Sequence, residues 1–328
     1  MPEVNSSLPI IDVSGLAAPG SGAPGVSEAE VAMAIGHAAR DIGFFYVIGH
    51  GIAPELLEAV FAESAAFFAL PEADKRLVAI DRIGNNRGYV PMKAEALDPS
   101  RPSDLKEAFN VGLELPERDP EIVAGAPFRG LNGWPAGRPT FRSTLLAYFD
   151  AAQRLGARLH RAFAADLGLD PDYFGPRINR PMSTLRLLHY PARPDAVEDG
   201  QLGAGTHTDY GNLTLLATDA VGGLEVRRRD GTWLAAPHIP GAFVVNIGDC
   251  LMRWTNDVYV STPHRVVSPV GQERYSVAFF LDPNPEAVVA ALPGTVPAGT
   301  TPIYPPISAA DYLRERLDAT YAFRRVAG

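Results

Sequence analysis

Apolar and polar positions alternate with two different periods along this chain. From Ser27 to Asp41 apolar residues recur every three or four positions, the spacing of a helix with one buried face. Ser27 with Glu30 three residues later has the form of a capping box, which places the helix start. Pro54–Leu70 repeats the pattern with proline in its first turn. A longer helix is predicted over Thr140–Leu167, closed by Gly168. Leu8–Val13, Gly43–Ile48 and Lys106–Leu115 are short apolar runs of strand length.

Beyond Gly168 the texture changes. Ser183–Tyr190, Asn212–Thr218, Gly223–Arg229, Thr232–Ala236, Ala242–Ile247, Val258–Val267 and Arg274–Leu281 are short and rich in β-branched or aromatic residues, with turn signals between them. Strands at this spacing predict a sandwich or jelly roll. A last helix is expected over Ser308–Phe323, while Gly20–Gly25 and Pro191–Gly205 read as loops. The expected fold is mainly β with a helical layer. Residues 1–180 form a mixed helical region that also supplies outer strands, 181–290 the β core, and 291–328 a connector and helix.

Composition narrows the function classes. A formal net charge of -9 disfavours phosphate backbones and anionic membranes, so neither nucleic acid nor membrane is an expected partner. The basic run Arg227–Arg229 adjoins the Asp230-Gly231 turn signal and reads as a solvated hairpin tip. Cys250 is the only cysteine, which excludes an intrachain disulfide and a thiolate-rich metal site. Met1–Ile11 has no signal-peptide pattern, and no apolar stretch nears the roughly 20 residues of a membrane span. A cytoplasmic protein is the expectation.

His207-Thr208-Asp209 brings chemistry into the picture. In a strand, residues two apart share a face, so an imidazole and a carboxylate at this spacing reach one ion while Thr208 points away. His264, on a later strand, supplies a second imidazole. Two histidines and one acid make the facial set of non-haem Fe(II) oxygenases, with positions left for substrates and O2. The same ligand types also serve zinc. Arg274 and Ser276 share a face of the strand after His264, offering a guanidinium fork and a hydroxyl to a carboxylate. Arg186, Leu188 and Tyr190 share a face of an earlier strand, where Tyr190 is placed to donate a phenolic hydrogen bond.

The runs TLRLLHYP (184–191), AGTHTDYGNLTLL (204–216), VVNIGD (244–249), STPHRVV (261–267) and RYSVAFFLDPNP (274–285) resemble the isopenicillin N synthase-like family of 2-oxoglutarate/Fe(II) dioxygenases. LPIIDVS (8–14) and GFFYVIGHGI (43–52) resemble its entry segment, so the likeness spans nearly the whole chain. The resemblance implies a double-stranded β-helix core with an N-terminal helical region. It implies His207, Asp209 and His264 as iron ligands, and Arg274, Ser276 and Tyr190 around the distal carboxylate of 2-oxoglutarate. Leu188 departs from the pattern, since many plant members carry Asn there. The implied chemistry is decarboxylation of 2-oxoglutarate by O2 to succinate and CO2, with an Fe(IV)-oxo oxidant that hydroxylates or desaturates a small metabolite.

Other residues are candidates for substrate contact. Arg186 is suited to an anionic or polar group, or to a structural ion pair. Phe280, in phase with Arg274 and Ser276, and Tyr210, beside the metal loop, are candidate pocket walls. Asn246 is a candidate for supporting a ligand or touching substrate, and Asp249 for a turn. Two competing readings remain open: an iron oxidase that uses O2 without 2-oxoglutarate, and a non-catalytic metal-binding barrel.

Overall fold

The computed structural model describes residues 7–16, 26–98, 100–192, 201–267 and 270–320. Its main strands are β1 (Ile10–Asp12), β2 (Phe44–Ile48), β3 (Gly88–Val90), β4 (Glu107–Gly112), β5 (Thr184–Tyr190) and β6 (Ala204–His207). They continue with β7 (Leu213–Thr218), β8 (Leu224–Arg227), β9 (Trp233–Ala235), β10 (Phe243–Ile247), β11 (His264–Val266) and β12 (Arg274–Leu281). The main helices are α1 (Glu28–Asp41), α2 (Pro54–Phe68), α3 (Pro139–Asp166), α4 (Asp249–Trp254) and α5 (Ala309–Thr320).

Eight strands form a major sheet in the order β1-β2-β10-β7-β12-β5-β4-β3, and β6-β11-β8-β9 form a minor one. Tyr46, Leu188 and Val244 of the major sheet share an apolar cluster with Leu224, Val226 and Leu234 of the minor sheet. The two sheets therefore face each other as a jelly roll. The alternate residues of the same strands, among them Leu185, Leu187, Leu215 and Phe279, join a second cluster with Ile35, Phe67 and Leu155 of the helices. One face of the major sheet thus lines the barrel while the other carries the helical layer, as strand alternation requires.

The helices form for the reasons their sequences give. Glu30 N–H donates to the Ser27 hydroxyl, and Ser27 N–H to the Glu30 carboxylate, completing the capping box of α1. Helix α3 buries Phe141, Leu145, Tyr148, Ala152, Leu155 and Leu159 at helical spacing, and Gly168 leaves it at φ 68°. Phe149 meets Phe279 edge-on at 5.0 Å between ring centres.

Several expectations change. The strand expected over Val258–Val267 shrinks to His264–Val266: Val260 N–H donates to Ala39 O and the Thr262 hydroxyl to Ile42 O, so the earlier residues bond to the end of α1 and not to a strand partner. Strand β3 has only three residues, too short for a readable period. The Arg227–Arg229 run does form a hairpin tip, with Arg228 N–H bonded to Thr232 O and Gly231 at φ 86°. The Gly20–Gly25 loop, most of Pro191–Gly205 and the end at Phe323 lie wholly or partly outside the described residues. Among the described residues, no helix is long and apolar enough to cross a membrane.

Alternation on β12 gives two neighbouring phenylalanines opposite fates. Phe279→Ala opens a cavity in the helix-facing core and is expected to cost about 3–5 kcal/mol. Phe280→Ala removes a barrel-facing ring and is expected to cost under about half as much. Urea unfolding of the two variants measures the difference.

Candidate metal centre and carboxylate pocket

Strands β6 and β11 pair antiparallel with His264 directly opposite His207, so one register sets both imidazoles side by side. Their ring centres lie 4.3 Å apart. His207 Nδ1 is 2.7 Å from Gly205 O and His264 Nδ1 is 3.2 Å from Thr262 O. A carbonyl only accepts, so each Nδ1 carries the proton and each Nε2 keeps its lone pair for a ligand.

Asp209 lies two residues past the end of β6, so simple strand parity does not place it. The loop does so instead. Asp209 Oδ2 accepts from Thr214 Oγ1 at 2.6 Å and from Asn246 Nδ2 at 2.7 Å, both on the major sheet. Its Oδ1 then faces both histidines, 3.7 Å from each Nε2. The three candidate ligand atoms lie within 4.8 Å of one another. Bonds of about 2.1 Å to a shared ion let ligand atoms stand up to about 4.2 Å apart, so small side-chain shifts close the set.

Electrostatics agree with that use. Burial, and then the charge of His264, push His207 down to about 3, so its imidazole is neutral at physiological pH. Burial opposes the charge on Asp209, but the two imidazoles and the Thr214 and Asn246 hydrogen bonds hold its carboxyl below the ordinary value. Two imidazole Nε2 atoms turned toward one carboxylate oxygen are the donor set a divalent transition metal takes.

All the candidate residues border one cavity of about 1170 Å³, its open mouth included. At one end Arg274 is 1% exposed. Its Nε donates to Gly222 O (2.7 Å) and Nη1 to Ser276 Oγ (3.1 Å), while Nη2 is buried with no hydrogen-bond partner among the described residues. Tyr190, opposite Arg274 in the β5–β12 register, places its ring under the guanidinium at 4.8 Å. A buried cation with an open donor asks for an anion.

Register places the other candidates. Asn110, Arg186 and Ala278 form one rung across β4, β5 and β12. Thr184, Phe280, Thr214 and Asn246 form the next across β5, β12, β7 and β10. Arg186 is ion-paired to Glu95 at 2.6 Å. Leu188 and Tyr210 also line the cavity. Asp249 is not in a turn but opens α4, where it accepts from Thr208 and pairs with Arg316. His50, His160 and His238 bond to other parts of the scaffold, away from the triad.

Sequence reasoning missed Lys106, Asn110, Thr214, Glu95, Asp282 and the helix residues Leu313 and Leu317, all near or in this cavity. A signal existed for the first three. Lys106 immediately precedes β4, Asn110 and Thr214 lie within apolar strands, and all three are in phase with the barrel-facing side.

Comparison with known proteins agrees with the geometry. Residues 8–137 match the family described as non-haem dioxygenase in morphine synthesis N-terminal, and residues 181–283 match the 2OG-Fe(II) oxygenase superfamily. The 2-oxoglutarate-Fe(II) type oxidoreductase hxnY of Emericella nidulans is 37% identical over 95% of this chain and 90% of its own length. The chain belongs to the 2OG-Fe(II) oxygenase superfamily.

Other relatives of this oxygenase include a homoarginine-6-hydroxylase of Glycine max, 36% identical over 88% of each chain. A full-length Neurospora crassa protein, solved in complex with alpha-KG and thymine, superposes with a TM-score of 0.84 at 36% identity, covering 96% of this chain and 98% of that one. The oxygenase is accordingly an enzyme that uses Fe(II), 2-oxoglutarate and O2. The readings as a 2-oxoglutarate-independent oxidase or a non-catalytic barrel are not favoured.

Two outcomes follow from the site's hydrogen bonds and charges. Thr214→Val with Asn246→Leu frees the outer oxygen of Asp209 and is expected to weaken Mn(II) binding about 10- to 100-fold, measured by titration. Asp282, which borders the cavity, is pushed up to about 8 by burial and then by the charge of Asp209. A raised carboxyl favours the folded state below its unfolded value and loses that contribution as pH rises through the folded one. In metal-free protein, Asp282→Asn is therefore expected to flatten the fall in Tm between about pH 4 and pH 8.

Proposed function

We propose that this oxygenase hydroxylates a small, uncharged molecule bearing N–H or O–H groups. His207, Asp209 and His264 hold the iron, and Arg274, Ser276 and Tyr190 hold 2-oxoglutarate. The observation that carries the reading is the buried, partly unpartnered Arg274 fork at one end of the cavity that contains the triad. When bound, the iron couples O2 reduction to decarboxylation of 2-oxoglutarate.

The chain's own residues position and shield. The Arg274 fork and the Ser276 hydroxyl grip the distal carboxylate, and the Tyr190 ring fixes the plane of the guanidinium. The Nδ1 bonds to Gly205 O and Thr262 O keep both imidazoles turned to the centre. Phe44, Leu216, Leu224 and Val266 give the cavity apolar walls that exclude water.

Charge balance supports an uncharged substrate. Arg186 pairs with Glu95, and Lys106 lies 2.6 Å from Asp104 and 3.5 Å from Glu95, so both cations already have acids. The Oδ1 atoms of Asn86 and Asn110 are buried beside the same cavity without hydrogen-bond partners among the described residues, and suit donors on a ligand. The N. crassa relative has structures with thymine and with 5-formyluracil, both neutral rings bearing N–H groups. The proposed division runs over residues 1–180, 181–290 and 291–328. A cytoplasmic setting fits a lone cysteine, Cys250, that is free and buried.

Succinate release in a screen of matched neutral and charged metabolites, with Fe(II), ascorbate and 2-oxoglutarate, tests the substrate class. Turnover confined to carboxylate substrates would overturn it. Arg274→Met is expected to raise the KM for 2-oxoglutarate about 10- to 100-fold, since hydrogen bonds to a charged group are lost. Arg274→Lys should recover only part of this, because an ammonium lacks the fork.

A further inference from the structure

Helix α5 is a wall of the cavity, and it is wired to the loop that bears Asp209. Leu313 and Leu317, four residues apart on one helix face, border the cavity. Between them in sequence, Arg316 Nη2 lies 2.7 Å from Asp249 Oδ2, and its guanidinium sits 4.8 Å from the centre of the Tyr210 ring. The same Asp249 oxygen accepts a hydrogen bond from Thr208 Oγ1 at 3.0 Å. Thr208 is the residue between His207 and Asp209.

The backbone adds a second tie. Asp249 N–H donates to Asp209 O at 2.7 Å, and Cys250 N–H reaches Tyr210 O and Gly211 O at 3.1 Å. The first turn of α4 therefore holds the loop by its carbonyls, while the Asp249 side chain joins that turn to α5. An exposed ion pair contributes little. Asp249 differs, because its side chain is only 9% exposed against 41% for Arg316. Without the guanidinium, a buried carboxylate next to the loop loses a charged partner and the loop must readjust.

We propose that Arg316 is a positioning residue that couples the α5 wall to the Thr208–Asp209 loop through Asp249. A ligand packed against Leu313 and Leu317 thereby steadies the loop, which reaches the metal through Asp209. The last clause rests on the triad holding the metal; the coupling of wall to loop does not.

Hydrogen–deuterium exchange on the full-length, metal-free protein tests the coupling without any turnover. Arg316→Met is expected to speed exchange several-fold both in 309–320 and in 208–211, and Arg316→Lys to restore most of the protection. Arg314→Met breaks a different α5 pair, with Asp311, and should leave 208–211 unchanged. Thr208→Val cuts the far end of the relay and should loosen 208–211 while sparing α5. Faster exchange confined to 309–320 in Arg316→Met would overturn the proposal.

Mn(II) titration of the same proteins separates the two layers. A roughly 10-fold weaker affinity in Arg316→Met, recovered in Arg316→Lys, supports the full proposal. Wild-type protein that binds no Mn(II) sinks the metal reading while the exchange data still decide the coupling. Unchanged affinity together with unchanged loop exchange removes the role of Arg316 altogether.

Discussion

The Asp209 carboxylate is the joint between the two sheets. One oxygen faces His207 and His264 on the minor sheet, while the other is held by Thr214 and Asn246 on the major sheet. A buried carboxylate is tolerated only when its lone pairs are satisfied, so sheet packing and ligand geometry are the same problem. The pairing of β6 with β11 places the histidines, and that pairing has value only if the acid arrives between them. The loop from Thr208 to Gly211, pinned by the first turn of α4, makes it arrive.

Charge is distributed unevenly along the cavity, and the asymmetry explains its division of labour. Arg186 and Lys106 have acids supplied by the chain itself, whereas buried Arg274 keeps an open donor. A cation left in that state destabilises the empty protein, so an anion that completes it stabilises the fold as it binds. At the other end Arg186 and Lys106 are balanced by Glu95 and Asp104. Under the proposed function, co-substrate capture relies on charge and substrate selection on complementarity.

Much of this was legible in the chain, but not all for the same reason. The Ser27–Glu30 capping box, the α3 stripe and the alternation of β12 are local patterns, and they read correctly. His207 with Asp209 and Arg274 with Ser276 were singled out by two-residue spacing, while His264 entered only as a second imidazole on a later strand. The strand explanation for Asp209 fails in detail, since loop hydrogen bonds rather than pleat alternation aim it. Glu95 and Asp104 were invisible because they sit in irregular segments far from the motifs in sequence. Leu313 and Leu317 were passed over because an amphipathic helix gives no sign of which surface its apolar stripe will meet. The strand before His264 is shorter because Val260 and Thr262 bond to Ala39 and Ile42 at the end of α1, a tertiary choice that propensity alone does not announce.

Strand β12 carries Arg274, Ser276, Ala278 and Phe280 on its barrel face and Val277 and Phe279 on the other. The distance from the Arg274 end to the aromatic end is therefore a fixed count of peptide units. Inserting or deleting one residue would turn every later side chain inside out, swapping the lining of the chamber for the packing of the helices. New specificities can arise by exchanging side chains along this ruler or by remodelling the rim. They cannot arise by stretching it.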